Sequence, residues 1–396
     1  MKISGIICEY NPFHNGHMYH IQKTRENGAT HIVAVMSGNF VQRGDVAIID
    51  KFERAKAAVR CGADLVIELP VAYALSGAEG FARGAMYILN SMGCIDEVSF
   101  GSESGDMNKI LSAVQASLAF ENTTELRTLM ESGVTYPAAI QQLATQKYGR
   151  QVGDIFEGAN NLLAIEYIKA TSYLNSKITP FTIARKNAGH DQPDIICNFA
   201  SASFIRQNVK ENAYSDLMPE PMYEALSLAV KEGRTANVAN LEKAILYKMR
   251  MMSPIELRNV PDVAQGLEHR IYEARTASTV AEMMNTIKTK RYTMSRIRRI
   301  LMNCLLGITK DDTTTPPLYG RILAINERGT DILNIAKGKS RIPLATSLAK
   351  LSEINAVTRR CAELEALSTD IYGVAMDKVQ PVELDYRTKV GITKSL

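Results

Sequence analysis

Along the first hundred residues, short runs of consecutive apolar positions alternate with longer amphipathic ones. ISGIIC (residues 3–8), HIVAVMSG (31–38), DLVIEL (64–69) and IDEVSFG (95–101) read as strands. Between them, HMYHIQKTREN stops at Gly28, and AEGFARGAMYILNSMG has helical spacing. DKFERAKAAVRCG (50–62) is a helix entered through Asp50 as N-cap and left through Gly62. Strands that are apolar throughout bury both faces, so the pattern predicts an α/β fold with a parallel sheet covered by helices. KITPFTIAR (177–185) adds a fifth strand after a helical insertion over about 106–175. From about 207 the strand signal fades into helical segments rich in Met, Leu and Ala, broken near Pro254, Pro261, Pro316, Pro317 and Pro343. A late patch, STDIYGVAM (368–376), reads as one more strand. The expected division is a catalytic α/β domain over 1–210 and a mainly helical domain over 211–396.

Composition changes this picture little. A chain of 396 residues with 46% apolar content has material for two cores. The net charge is +4, from 46 basic and 42 acidic residues, which is too mild to announce a nucleic-acid partner by itself. Six cysteines without a C-x-x-C pair predict reduced thiols and neither a disulfide framework nor a zinc site. The apolar start is too short for an export signal, and ADLVIELPVAYALSGA carries Asp64, Glu68 and Pro70, so no membrane span is expected. The expected location is the cytoplasm, with no obligate protein partner.

Candidate chemistry concentrates where the first strand meets the first helix. NPFHNGHMYH (11–20) places His14, His17 and His20 around Gly16, although the chain has only six histidines. In a doubly wound sheet this is the carboxyl end of a strand, where ligands bind. A helix N-terminus offers free N–H groups and partial positive charge, and a glycine lets a phosphate approach the backbone. His14 and His17 are placed to donate to phosphate oxygens, and a nearby polyphosphate raises a histidine's pKa. A metal reading of His17 and His20, one turn apart, lacks its remaining ligands, so no metal ligand is assigned.

FHNGH resembles the H-x-G-H signature of the nucleotidyltransferase superfamily, in which the two histidines stabilise the α-phosphate while pyrophosphate leaves. The superfamily's second signature, I-S-S-T-x-x-R, is matched by ASASFIR (200–206), with Ala200 for Ile and Ser203 for Thr. GIICEYNPFHNGHMYHI, SGNFVQRGDVAIIDKFERAKAAVRCGADLVIELP, SFGSESGD, GANNLLAIEYIKA and TKRYTMSRIRRILMNCLLGI together resemble the bacterial tRNA(Met) cytidine acetate ligase family. The resemblance implies a Rossmann-like nucleotidyltransferase domain followed by a tRNA-binding helical domain. It implies activation of acetate by ATP as acetyl-adenylate, then acetylation of the wobble cytidine of elongator tRNA(Met) to N4-acetylcytidine. The implied catalytic pair is His14 and His17. The implied ATP site is Ile7, Cys8, Glu9, Tyr10, Asn11, Pro12, Phe13, His14, Asn15, Gly16, His17 and His20, with Gly101, Asn160 or Asn161 (Asn161 preferred), Arg185, Lys186, Ser201, Ser203 and Arg206. Mg2+ is expected with ATP.

Position alone places Ser37, Asn39, Gln42 and Arg43, in the loop after the second strand, to hold the carboxylate of acetate. Residues 285–310 carry seven Lys or Arg and no acid. There Met294, Ile297 and Leu301 follow one helical face, and Arg296 and Arg299 the other. With tRNA as the implied partner, Lys290, Arg291, Arg296 and Arg299 are expected on phosphates, with Tyr292 as a stacking platform for a splayed base. Two other readings fit the same signatures: a small-molecule adenylyltransferase or cytidylyltransferase, and a non-catalytic RNA-binding protein.

Overall fold

A computed structural model describes residues 1–185, 200–209, 214–264 and 266–393. The chain opens with β1 (Ile3–Cys8), α1 (Asn15–Glu26) and β2 (His31–Ser37), then a small antiparallel hairpin of β3 (Phe40–Val41) and β4 (Asp45–Val46). Next come α2 (Lys51–Arg60), β5 (Leu65–Leu69), α3 (Ala78–Ser91) and β6 (Glu97–Ser102). The expected helical stretch includes α4 (Met107–Phe120) and α5 (Ala159–Tyr173), and β7 (Thr179–Ala184) closes the series. The side chain of Asp50 accepts from Phe52 N–H and Glu53 N–H, as an N-cap should.

Strands β5, β2, β1, β6 and β7 lie side by side and parallel, so the direction of winding reverses between β1 and β6. Alternate residues of β2 feed two cores. Val33 and Val35 join Phe81, Leu89, Ile110 and Ile165 of α3, α4 and α5. Ile32, Ala34 and Met36 join Ile21, Phe52 and Val59 of α1 and α2. This two-sided burial accounts for the unbroken apolar runs.

The remainder of the chain departs from the expected pattern in two places. After α6 (Ala202–Gln207) and several helices including α7 (Met294–Leu306), the segment β8 (Gly320–Ile325) enters the sheet antiparallel to β5. The short strands β9 (Leu344–Ala345) and β10 (Gly391–Ile392) pair with β8. The strand expected over 368–376 is instead the end of α8 (Ala356–Ala375), capped by Asn355. Its buried Glu365, Ser368, Thr369, Tyr372 and Ala375 recur every three or four residues, and that spacing overrides the β-branched composition. A third core joins the helices around 241–308 to Phe40 and Val46 of the hairpin. Gly44, at φ +73°, lets α7 press on that hairpin, since a Cβ there would lie 2.4 Å from the Arg299 backbone nitrogen.

Candidate active site

In sheets of this kind ligands bind beyond the strands' carboxyl ends where the winding reverses, here between β1 and β6, and the loop from Glu9 to His14 leaves β1 at that place. Tyr10 and Phe13 are buried against each other with centroids 4.6 Å apart, and the His17 ring sits against both, at 4.9 and 5.4 Å. His14 is the N-cap of α1. Its Nδ1 accepts from Gly16 N–H at 3.0 Å, and His17 Nδ1 accepts in return from His14 N–H at 3.2 Å. The two rings stack at 3.8 Å. Because both Nδ1 atoms are acceptors, each neutral ring carries its proton on Nε2. H-x-G-H is thus a reciprocal capping box that leaves the Nε2–H of each ring uncommitted to the cap.

The protein's own surroundings keep these rings neutral. Burial first, then the nearby Arg185 and Arg206, push His14 down to about 3. Burial and the neighbouring His14 hold His17 well below its ordinary value. The sequence reading expected a rise beside polyphosphate; with protein charges alone the direction is downward, and the donors are uncharged. His20 is lowered to about 4 by burial and Arg185. Its Nε2 engages Ser99 Oγ on β6 at 2.9 Å, so it ties α1 to the sheet.

Linkage follows from those directions. An unfolded histidine protonates near 6.5 and the buried ones do not, so their stabilisation is full above that pH and is lost as pH falls toward 4. The midpoint of thermal unfolding should therefore drop between pH 6.5 and 4. His20→Gln should flatten that slope in scanning calorimetry.

Arg206 donates through Nη1 to the Asn11 carbonyl at 2.7 Å, which brings the second signature onto the first loop. Ser201 caps α6 through Phe204 N–H, with Ser203 Oγ 3.4 Å from its hydroxyl. On β6, a Cβ on Gly101 would stand 3.3 Å from Arg185 Cγ. The Arg185 guanidinium reaches Asn160 Oδ1 at 3.4 Å. Asn161, the residue preferred from sequence, is 3% exposed and accepts from Ser104 N–H at 3.1 Å, whereas Asn160 is partly exposed. Glu103, not foreseen, caps α5 by accepting from the backbone N–H groups of Asn160 and Asn161 at 3.0 and 2.7 Å. Lys186 lies outside the described residues.

In the loop after β2, the buried Asn39 side chain is engaged at both polar atoms. Its Oδ1 accepts from Lys51 N–H at 2.8 Å and its Nδ2 donates to Thr369 Oγ1 at 3.1 Å. Gln42 N–H donates to Glu9 Oε1 at 2.7 Å, and Arg43 is exposed. The Asn39 side chain thus ties the start of α2 to Thr369. Behind this loop lies a buried charge network. Lys51 Nζ bonds Glu68 Oε1 at 2.6 Å and Asp385 at 2.9 Å, and Arg321 joins both carboxylates. Glu365 borders the network and is held well above the ordinary carboxyl range, first by burial and then by Glu68.

The basic stretch is only partly available. Tyr292 is buried at 8% exposure, so it presents no free face to a base. The guanidinium of Arg296 is spent on the Asp262 carbonyl at 2.9 and 2.6 Å, and Arg299 Nε on Asp262 Oδ2 at 2.7 Å. Their charges close the loop before residue 265 instead of facing outward. Lys290, Arg291 and Arg298 are exposed. Among the described residues no group of three or more His, Cys, Asp or Glu is arranged to hold a metal. No described helix is long and apolar enough to cross a membrane.

Comparison with known proteins is consistent along the whole length. The family model HIGH Nucleotidyl Transferase matches residues 1–386. The tRNA(Met) cytidine acetate ligase of Thermoanaerobacter sp. (strain X514) is 40% identical over 399 aligned residues, covering 98% of each chain. That of Acetivibrio thermocellus is 39% identical, covering 94% of each. Among solved structures, Thermotoga maritima TmcAL bound with alpha-thio ATP superposes with a TM-score of 0.89 at 30% identity over 100% of both chains. The apo form of the same protein gives 0.91. With its H-x-G-H capping box at the β1–α1 junction and this full-length similarity, the chain belongs to the HIGH nucleotidyl transferase family and, within it, to the tRNA(Met) cytidine acetate ligases.

Proposed function

We propose that the chain activates acetate with ATP and transfers the acetyl group to the wobble cytidine of elongator tRNA(Met). The observation that carries this reading is the pair of Nε2–H donors of His14 and His17, fixed by each other's backbone at the β1–α1 junction. In the first step a carboxylate oxygen of acetate attacks the α-phosphorus, a P–O bond to the β-phosphate breaks, and pyrophosphate leaves. Negative charge grows on the α-phosphate oxygens, where two preoriented donors in a buried setting favour the transition state over the ground state. Arg206 and Arg185 supply positive charge, and Ser201 and Ser203 supply short hydroxyl donors. Asn160 is the asparagine assigned to the nucleotide. In the second step the exocyclic amine attacks the acyl carbon, AMP departs with the bonding electrons, and the amine loses a proton. Magnesium travels with the triphosphate, and no protein ligand is assigned to it.

The helices over about 241–308 are assigned to tRNA, with Lys290 and Arg291 on phosphates. A cytoplasmic location accords with a tRNA substrate. Acetate-dependent exchange between pyrophosphate and ATP tests the first step. Nucleoside analysis of elongator tRNA(Met) after incubation with ATP and acetate tests the second. Exchange that needs another co-substrate would identify a small-molecule transferase; absence of any exchange would leave an RNA-binding protein. The Lys290→Ala/Arg291→Ala double variant should bind tRNA several-fold more weakly, with the slope of log K against log salt reduced by roughly 1.5. Acetate-dependent exchange should be unchanged.

A further inference from the structure

The helix Glu242–Met251 buries Ile245, Leu246 and Met249 in the core that also holds Ile297, Ile300 and Leu301 of α7. That face already fixes the helix in the fold. The opposite face is apolar as well. Tyr247 and Met251 are each 67% exposed, and Ile255, in the following short helix Pro254–Arg258, is 74% exposed. Apart from Met1 and Ile392 near the chain ends, these are the most exposed large apolar side chains among the described residues. They follow one another at intervals of four in one short stretch of chain. Exposed apolar residues scattered singly need no explanation, but a concentration of them marks an interaction surface.

The charge around this stripe selects the partner. Residues 242–258 carry four basic side chains, Lys243, Lys248, Arg250 and Arg258, and two acids. Both acids are engaged by backbone donors. Glu256 accepts from Ser253 N–H at 2.8 Å in a capping box, and Glu242 accepts from Val280 N–H at 3.0 Å. At helical spacing Lys243 and Arg250 share the face of Tyr247, and all three are exposed. Arg250 is held there through Nη2, which donates to Ala277 O at 3.3 Å. Where the stripe ends, Arg258, His269 and Lys310 line a hollow of about 530 Å³ beside the buried Glu268. A flat ring among cations suits unstacked bases on a phosphate chain: the ring covers a base and the cations meet phosphates.

The reaction assigned above presents such bases. An exocyclic amine is reached when its base leaves the stack, and the bases beside it then lose a stacking partner. Tyr292 is buried and offers them no face. The helix that carries Tyr247 shares its core with α7, which begins shortly after Lys290 and Arg291.

We propose that Tyr247, Met251 and Ile255, flanked by Lys243 and Arg250, form a docking surface for the unstacked bases of the RNA substrate. The assignment rests on the tRNA reading, and it moves the stacking platform from Tyr292 to Tyr247.

The chain contains no tryptophan, so Tyr247→Trp installs a lone fluorescent reporter on this surface. It is titrated with a short single-stranded RNA, an RNA duplex of equal length and vesicles of phosphatidylglycerol. The single strand should quench its fluorescence roughly twofold at saturation, and the duplex should leave it unchanged. Alongside, Tyr247→Ala should weaken binding of elongator tRNA(Met) about tenfold, the loss of one stacked base, with the slope of log K against log salt unchanged. Tyr247→Phe, which keeps the ring, should stay within twofold of the parent. Absence of quenching by the single strand would overturn the surface. A response to vesicles in its place would assign these residues to a membrane, and a response to protein concentration alone would assign them to a second copy of the chain. If the parent acetylates tRNA but the single strand does not quench, the surface falls and the tRNA reading stands. If the single strand quenches but no tRNA is acetylated, the surface stands and that substrate falls.

Discussion

His14→Ala and His17→Ala should each lower the rate of acetate-dependent pyrophosphate exchange by about 10²–10³, the loss that follows removal of one preoriented donor from a charge-developing site. The double variant should lose little more than the worse single one, because the two rings hold each other: His14 N–H bonds His17 Nδ1, and His14 Nδ1 accepts from Gly16. Each substitution also removes a helix cap, worth about 1 kcal/mol. His14→Asn separates these roles. An Asn oxygen can accept from Gly16 N–H and restore the cap, but its amide does not extend to the place of Nε2. Thermal stability of His14→Asn should approach that of the parent while exchange stays low. Recovery of exchange together with stability would mean that His14 acts only through the helix.

The second large effect is on stability. Asp385→Ala should cost about 3–5 kcal/mol, read as a shift of the denaturant midpoint, because it leaves buried cations short of a partner. Asp385 bonds both Lys51 and Arg321, which are 0% and 1% exposed. Among the neighbouring carboxyls Glu68 is already engaged and Glu365 favours its protonated form, so Glu365 can ionise and recover part of the loss. A Glu365→Gln substitution in the Asp385→Ala background removes that reserve and should destabilise more than it does in the parent. Equal effects in the two backgrounds would show the groups to be uncoupled.

The parallel sheet and the histidine pair were legible because each is written in adjacent residues. Short apolar or β-branched runs marked β1, β2, β5, β6 and β7, and the H-x-G-H stretch marked the capped turn between β1 and α1. What was not legible depends on partners far along the chain. β8 is an ordinary short apolar run that only its pairing with Val66 and Ile67 makes a strand. Tyr292 beside basic residues looks available until Ile297 and Leu301 close a core around it. Arg296 and Arg299 look free until Asp262 is brought to them. Some signals were nevertheless visible. Arg54 stands among Phe52, Ala55 and Ala58 on a buried helical face, and Glu68 interrupts an apolar strand. Charged residues at core positions mark a partner still to be found.

The entry of β8 into the sheet limits how the chain can be divided. A fragment ending near Val209 would keep both signatures but leave the flank of β5 bare, with a row of unpaired amides and carbonyls. Such a rim invites sticking to other copies. The chain that follows the helices assigned to tRNA is stitched into the catalytic sheet, and transplanting that whole portion to another scaffold would require carrying a piece of that sheet along.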